Sequence, residues 1–279
     1  SCMQTMLMII LGLILGSFVN ALVWRLRAHE EPTKAQKKLK ATELSMVTGR
    51  SMCSQCHHPL AAKDLVPVVS WLSLGGKCRY CSKPIQDTPL PELGLAALFA
   101  LSYLLWPTPQ QGTTLLMFIF WLIFLTGFMA LAIYDIRWQL LPDKIVWPLV
   151  GLAAVQWGVL FVTERAGWSQ VLNTAGALLV ASGLFWLIYQ VSKGEWIGGG
   201  DVKLGLILGL LAGTPLKAML MLFIASLIGT LAAVPVMLKQ KTGMGIKLPF
   251  GPFLLAGCIL VVLLGDKLIS AYLTTFGLS

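Results

Sequence analysis

Charge is scarce in this chain. Of its 279 residues only 12% are Asp, Glu, Lys or Arg, where an ordinary soluble domain carries about 25%. Acid is scarcer than base, with 12 Asp and Glu against 21 Lys and Arg. These shortages exclude a fold bounded mainly by water. The 57% hydrophobic content and mean hydropathy of +0.79 make the bilayer the relevant solvent. Also missing is a Gly-rich loop after a strand, the phosphate cradle of soluble nucleotide-binding folds. The net charge of +9 does not point to nucleic acid either. Eleven of the 21 basic residues fall between Arg25 and Lys83, in the one long polar segment. In a membrane protein such a cluster reads as a cytoplasmic loop beside anionic lipid.

The pattern predicts an all-α polytopic membrane protein with about eight spans, at 5–24, 92–106, 114–134, 144–163, 170–191, 202–213, 217–238 and 251–274. Most approach the ~20 residues that cross ~30 Å of hydrocarbon, while the second and sixth are short. The first reads as a retained span, since no basic region precedes it and no small-residue cleavage site follows. Three divisions result: a first span over 5–24, a cytoplasmic segment over 25–91, and a membrane domain over 92–279. With 25–91 inside, Arg137, Lys193, Lys239, Lys241 and Lys247 also fall inside, and Lys217 alone opposes the trend.

Cys53-x-x-Cys56 and Cys78-x-x-Cys81, separated by 21 residues, have the spacing of a structural zinc site. Each pair turns two thiolates toward one ion, and four thiolates close a tetrahedral shell with no position left for a reacting water. A small zinc-bound cytoplasmic insertion is the expectation, and a reducing cytoplasm disfavours disulfides. His57 and His58 read as surface residues, and Lys63-Asp64 as an ordinary solvated pair. Cys258, in an apolar run, reads as a small buried residue.

Two acids stand at the ends of apolar segments: Asp135, closing the third, and Asp201, opening the sixth after Gly198-Gly199-Gly200. They are 66 residues apart, but the two intervening spans return the chain to the same face. Peptide hydrolysis needs such a pair, one carboxylate to take a proton from water and one carboxyl to give a proton to the carbonyl oxygen. Two carboxyls within hydrogen-bonding reach resist double ionisation and share one proton. The three glycines would allow backbone conformations and a close approach of an extended substrate that side chains would block. The same residues also fit plainer roles. Asp201 could cap its helix, and Asp143, after Leu-Leu-Pro, fits a turn or N-cap that could still orient the site. Lys203 lies two residues beyond Asp201.

Taken together, these stretches resemble the type IV prepilin peptidase branch of the GxGD aspartyl proteases. Gly198–Asp201 is similar to the G-x-G-D signature, and Asp135 through Leu141-Pro142-Asp143 to the first-aspartate motif, with Arg137 where the family often has a second Asp. Gly16-Ser17-Phe18-Val19-Asn20 with Trp24-Arg25-Leu26, the tetracysteine region around Pro67–Leu72, and Leu248–Phe253 resemble further family motifs, all in the family's order.

The resemblance implies a leader peptidase of the bacterial inner membrane, its active site toward the cytoplasm. It would cut the basic leader from type IV prepilins or type II secretion pseudopilins after the leader's last Gly. Asp135 and Asp201 would be its catalytic pair, with Gly198, Gly199, Gly200, Asp143 and Lys203 in support. Many members of that family also methylate the new N-terminus using S-adenosylmethionine; in this sequence Asn20, Arg25 and Glu92 are polar groups near the place a donor would occupy, and they equally fit helix-end anchors. Two other classes compete. A proton- or ion-coupled transporter would use the aspartates as relays but predicts acids deep in the spans, and none lies in the middle of any. A membrane anchor would use the zinc loop for partners and the aspartates as caps.

Overall fold

The computed structural model describes residues 2–32, 36, 45, 49, 51–85, 87–106, 112–164, 167–240 and 249–275. Lys241, Lys247 and Leu248, on which parts of the sequence reading rest, lie outside these, as does most of the basic stretch 33–50.

Among the described residues the long elements are all helices: α1 (Cys2–Glu30), α2 (Val69–Ser73), α3 (Leu90–Leu105), α4 (Thr113–Trp138), α5 (Asp143–Thr163), α6 (Trp168–Leu178), α7 (Leu184–Ser192), α8 (Gly199–Ala212), α9 (Pro215–Gln240) and α10 (Gly251–Thr275). A π-helical turn, Leu179–Gly183, joins α6 to α7 as one continuous rod. Six helices are long and apolar enough to cross a membrane: α1, α4, α5, the Trp168–Ser192 rod, α9 and α10. The two segments that read as short in the sequence are short here. α3 has 16 residues and α8 has 14. Among the described residues six helices therefore qualify as spans by length and composition, and the eight expected are reached only by counting these two.

The chain forms two compact units. The first comprises Ser1–Leu104 and Leu122–Ala130, and the second Leu105–Trp121 and Leu131–Ser279. Within the first, α1 and α3 pack with their backbones nearly touching. A Cβ on Gly12 would stand 2.5 Å from the Ala96 Cα, and one on Gly16 would collide with the Glu92 backbone. Small residues four apart provide this approach where no hydrophobic effect drives association in lipid. Val23, Leu26, Leu95, Phe99, Phe124 and Leu125 are fully buried in this unit.

In the second unit α8 is the central element, packed by α5, α6, α7, the π turn, α9 and α10. Fourteen residues rise only ~21 Å, short of ~30 Å of hydrocarbon, and such a helix is tolerated where neighbours enclose it. Leu204, Ile207 and Leu208 are accordingly fully buried. Gly205 leaves no room for a Cβ against the Ala181 carbonyl, and Ser182 Oγ donates to the Val202 carbonyl at 2.8 Å. The widened turn thus seats on α8 itself, directly beside Asp201. Gly213, left-handed at φ +69°, ends α8, and Pro215 starts α9. Lys217, the basic residue at odds with the charge pattern, pairs with Asp266 at 2.8 Å.

Candidate active site and metal centre

The cysteine segment builds two matching knuckles. In the first, Cys53 N–H donates to the His58 carbonyl at 3.0 Å, and His57 N–H to the Cys53 carbonyl at 3.0 Å. In the second, Cys78 N–H donates to Lys83 and Ser82 N–H to Cys78, both at 2.9 Å. His57 and Ser82, at the same place in each knuckle, are left-handed at φ 56° and 57°. Backbone N–H groups of Gln55 and Tyr80 point at Cys53 Sγ and Cys78 Sγ at 3.4 Å, the pattern that stabilises thiolate. All four sulfurs lie within 4.8 Å of one another. Thiolates ~2.3 Å from one tetrahedral ion stand ~3.8 Å apart, so the donor set is close enough to gather around one zinc ion. Neither histidine joins the set, and His58 instead stacks on Tyr80 with ring centres 3.8 Å apart.

Asp64 departs from the sequence reading. It is not a solvated partner of Lys63: its side chain is 3% exposed. It accepts from Arg79 Nε at 2.8 Å, from the Tyr80 hydroxyl at 3.1 Å and from Ala61 N–H at 3.3 Å. The Arg79 hydrogen bond holds its carboxyl below the ordinary aspartate value, aided by Tyr80 and Ala61 against the effect of burial. Asp64 therefore ties the second knuckle to the Ala62–Asp64 turn.

The acids of the second unit occupy opposite kinds of helix end. Asp135 is in the last turn of α4 and 5% exposed. A carboxylate there opposes the helix dipole. Its compensation comes from α10, whose first residue, Gly251, donates its N–H to Asp135 Oδ2 at 3.0 Å. That N–H has no partner within its own helix, and the α10 N-terminus is the favourable place for an anion. A Cβ on Gly251 would stand 2.5 Å from the same oxygen, so only glycine allows this contact.

Asp201 lies in the first turn of α8, where the dipole favours it. It is the third helical residue, not the N-cap: Gly198 holds that position, and its backbone N–H supports the Asp201 carboxylate in return. Asp135 and Asp201 lie near enough for the charge of one to act on the other. Asp143 is likewise the first residue of α5 after Pro142 rather than its cap, and it pairs with Lys203 Nζ at 2.6 Å. Lys203 also stands 6.0 Å from the centre of the Trp147 ring.

The glycines before Asp201 adopt no unusual backbone angles. None is left-handed, and only Gly200 is crowded, where a Cβ would meet the Leu141 side chain at 3.0 Å. At Gly198 and Gly199 an added Cβ would make ordinary contact, with Asp201 Oδ2 at 3.9 Å and with the Tyr189 ring at 3.8 Å. Gly251 and Asp64 are the residues that reasoning from residue types missed. The signal for Gly251 was its place between Phe250 and Pro252 at a helix start. Asp64 gave none.

Two family models match the chain. The family model described as "Bacterial Peptidase A24 N-terminal domain" matches residues 10–106, and "Type IV leader peptidase family" matches 122–234. A "Prepilin leader peptidase/N-methyltransferase" of Pseudomonas aeruginosa is 34% identical over 96% of this chain and 93% of its own length. Proteins of the same name from Stutzerimonas stutzeri and Bacillus subtilis are each 31% identical, over 95% and 96% of this chain and 92% and 97% of theirs. No solved structure matches. Matched by relatives 31–34% identical along nearly its full length, the chain belongs to the type IV leader peptidase family.

Proposed function

We propose that this protein is an aspartic-type endopeptidase that removes the basic leader of a prepilin or pseudopilin at the cytoplasmic face of a bacterial inner membrane, and that it methylates the new N-terminus. The observation that carries the peptidase reading is the pairing of two interacting acids at helix ends in one unit, one of them fixed by the Gly251 N–H.

Asp135 and Asp201 share one proton. The ionised member takes a proton from a water as that water attacks the scissile carbonyl, and the protonated member donates to the carbonyl oxygen. As the amine leaves, the proton acquired by the first carboxyl passes to nitrogen and the second carboxylate takes a proton back from a hydroxyl of the tetrahedral intermediate, so the pair ends with the single proton it began with. Gly251 keeps the Asp135 carboxylate aimed. The side-chain-free backbone of Gly198 and Gly199 lets an extended substrate approach closely, and the Asp143–Lys203 pair holds the start of α8 against α5. The leader's positive charge is drawn to anionic lipid and to this acidic site, while the apolar helix behind it partitions into the bilayer. The same proposal puts the N-terminus outside and the cysteine segment inside, as the distribution of Lys and Arg favours.

Zinc on Cys53, Cys56, Cys78 and Cys81 would supply folding energy to the knuckles and no chemistry, because its shell is closed. S-adenosylmethionine supplies an activated methyl group. Incubating the purified protein with a prepilin and weighing the products tests the peptidase reading. The expected product begins immediately after the leader's last Gly. A folded, zinc-loaded protein that leaves the precursor intact would overturn it.

A further inference from the structure

The second unit contains a cavity of about 470 Å³ at the end of α8 opposite Asp201, which the peptidase and methylation readings do not use. It follows from the shortness of α8. The 14 residues of α8 rise ~21 Å, whereas the 21 residues of α5 rise ~32 Å. At Gly209 α8 still touches α6, where a Cβ would stand 2.9 Å from the Leu178 Cα. One turn on, a Cβ on Gly213 would meet nothing within 4 Å. The helices have parted there, and α5, α6 and the start of α9 wall the gap.

Part of this wall is polar and already satisfied. Trp157 Nε1 donates to Thr174 Oγ1, and Thr174 Oγ1 to the Gln170 carbonyl, both at 2.9 Å. The remainder is not. Gln156, inside α5, has its Oε1 buried without a partner, a costly state in a membrane helix unless something donates to it. The carbonyls that end α8, at Leu210 to Gly213, have no partner within their own helix and carry the negative end of its dipole. Glu164, just past α5, pairs with no cationic side chain among the described residues, and Arg165 lies outside them. The cavity is thus lined chiefly by acceptors. At its rim Lys217 Nζ pairs with Asp266 at 2.8 Å, which leaves the ammonium N–H groups to spare. Trp168, exposed at the start of α6, is of the type that marks a membrane–water boundary.

We propose that this cavity binds the headgroup of a phospholipid with a primary ammonium, the phosphoethanolamine class. The ammonium enters toward Gln156 Oε1, the α8 carbonyls and Glu164, and the phosphate stays at the mouth with Lys217. Three N–H donors on one nitrogen match several acceptors. A choline nitrogen offers only methyl groups, and a glycerol headgroup carries no cation. The volume of about 470 Å³ is far above the roughly 10–15 Å³ that one water needs, so the headgroup enters together with waters. The bound lipid holds the far end of the helix that carries Asp201.

Native mass spectrometry of the full-length, zinc-loaded protein, released from detergent with one added lipid at a time, tests this. The lipids share acyl chains and differ in headgroup: ethanolamine, choline or glycerol. Wild type is expected to bind the ethanolamine lipid about tenfold more tightly than the other two. Gln156→Leu should cut that preference to less than about threefold, the loss of one hydrogen bond to a charged group. Its unfolding temperature without lipid should not fall, because an unsatisfied buried amide has been removed. Glu164→Gln, at an exposed position, should cut the preference about twofold, and it carries the test if Gln156→Leu does not fold. Free phosphoethanolamine has the same headgroup but no hold on the bilayer, and should compete only far above the lipid's concentration. Equal binding of the three lipids, an undiminished preference in either folded variant, or competition by free phosphoethanolamine at the lipid's own concentration would each overturn the inference.

Discussion

The cysteine segment and the acidic site assemble in different ways. Between Cys53 and Cys81 two short turns, each closed by its own backbone hydrogen bonds, bring four sulfurs within 4.8 Å. Asp135 and Asp201 depend instead on helices that begin and end correctly across 66 residues of chain, and on a third helix, α10, whose first N–H fixes one of them. A locally written site tolerates change elsewhere in the fold. A site written in helix ends is sensitive to anything that shifts a helix.

The largest effects should therefore fall on the acids. Asp135→Asn and Asp201→Asn, measured by initial rates of prepilin cleavage, should each lose on the order of 10³-fold. Asp135→Asn should do so with zinc content unchanged. Retention of the metal alongside lost cleavage would sharpen the contrast between the two regions, whereas joint loss of both would erase it.

Next comes Gly251→Ala. The added methyl meets the Asp135 oxygen at 2.5 Å, so the carboxylate must move, and a displacement of about 1 Å at a reacting group lowers the rate roughly 10²-fold. Cleavage at the wild-type rate would mean that the Gly251 contact does not set the geometry.

Cys53→Ser acts on the other region. Zinc affinity, measured by competition with a chromophoric chelator, should fall by more than the roughly 10–100-fold that follows loss of an outer hydrogen-bond partner of a metal ligand. Limited proteolysis should then cut within 51–85. Unchanged metal content would break the assignment.

The smallest effect belongs to Lys203→Met. Its ion pair with Asp143 is partly exposed, at 35% and 57%, and such pairs contribute about 0.2–1 kcal/mol. Cleavage should drop no more than about fivefold. A loss as large as that of Asp201→Asn would move Lys203 from support into the chemistry.

Much of this was legible in the sequence. Apolar runs marked every long helix because a bilayer-spanning helix must satisfy its backbone internally and present carbon outward. The cysteine cluster was legible because C-x-x-C spacing is itself the geometry. The two acids stood out because ionisable groups are rare at the ends of apolar segments. What residue types could not reveal were contacts between distant elements. The α10 N–H that fixes Asp135 depends on packing, not on neighbours in sequence. Asp64 looked solvated beside Lys63 because its partners, Arg79 and Tyr80, lie across a turn. The glycines before Asp201 suggested unusual backbone angles, but only the structure separates crowded Gly200 from Gly198 and Gly199, where a Cβ would make ordinary contacts. The π turn at Leu179–Gly183 follows from the fit of the α6–α7 rod against α8, which no local pattern encodes.

The central claim is that Asp135 and Asp201 work as one proton-sharing unit. Cleavage rates of Asp135→Asn, Asp201→Asn and the double variant on one prepilin test it most directly. If the acids form a unit, the double variant is no slower than either single one, since removing either already removes the unit. A double variant slower than both by the product of their separate losses, or appreciable cleavage by either single variant, would contradict it.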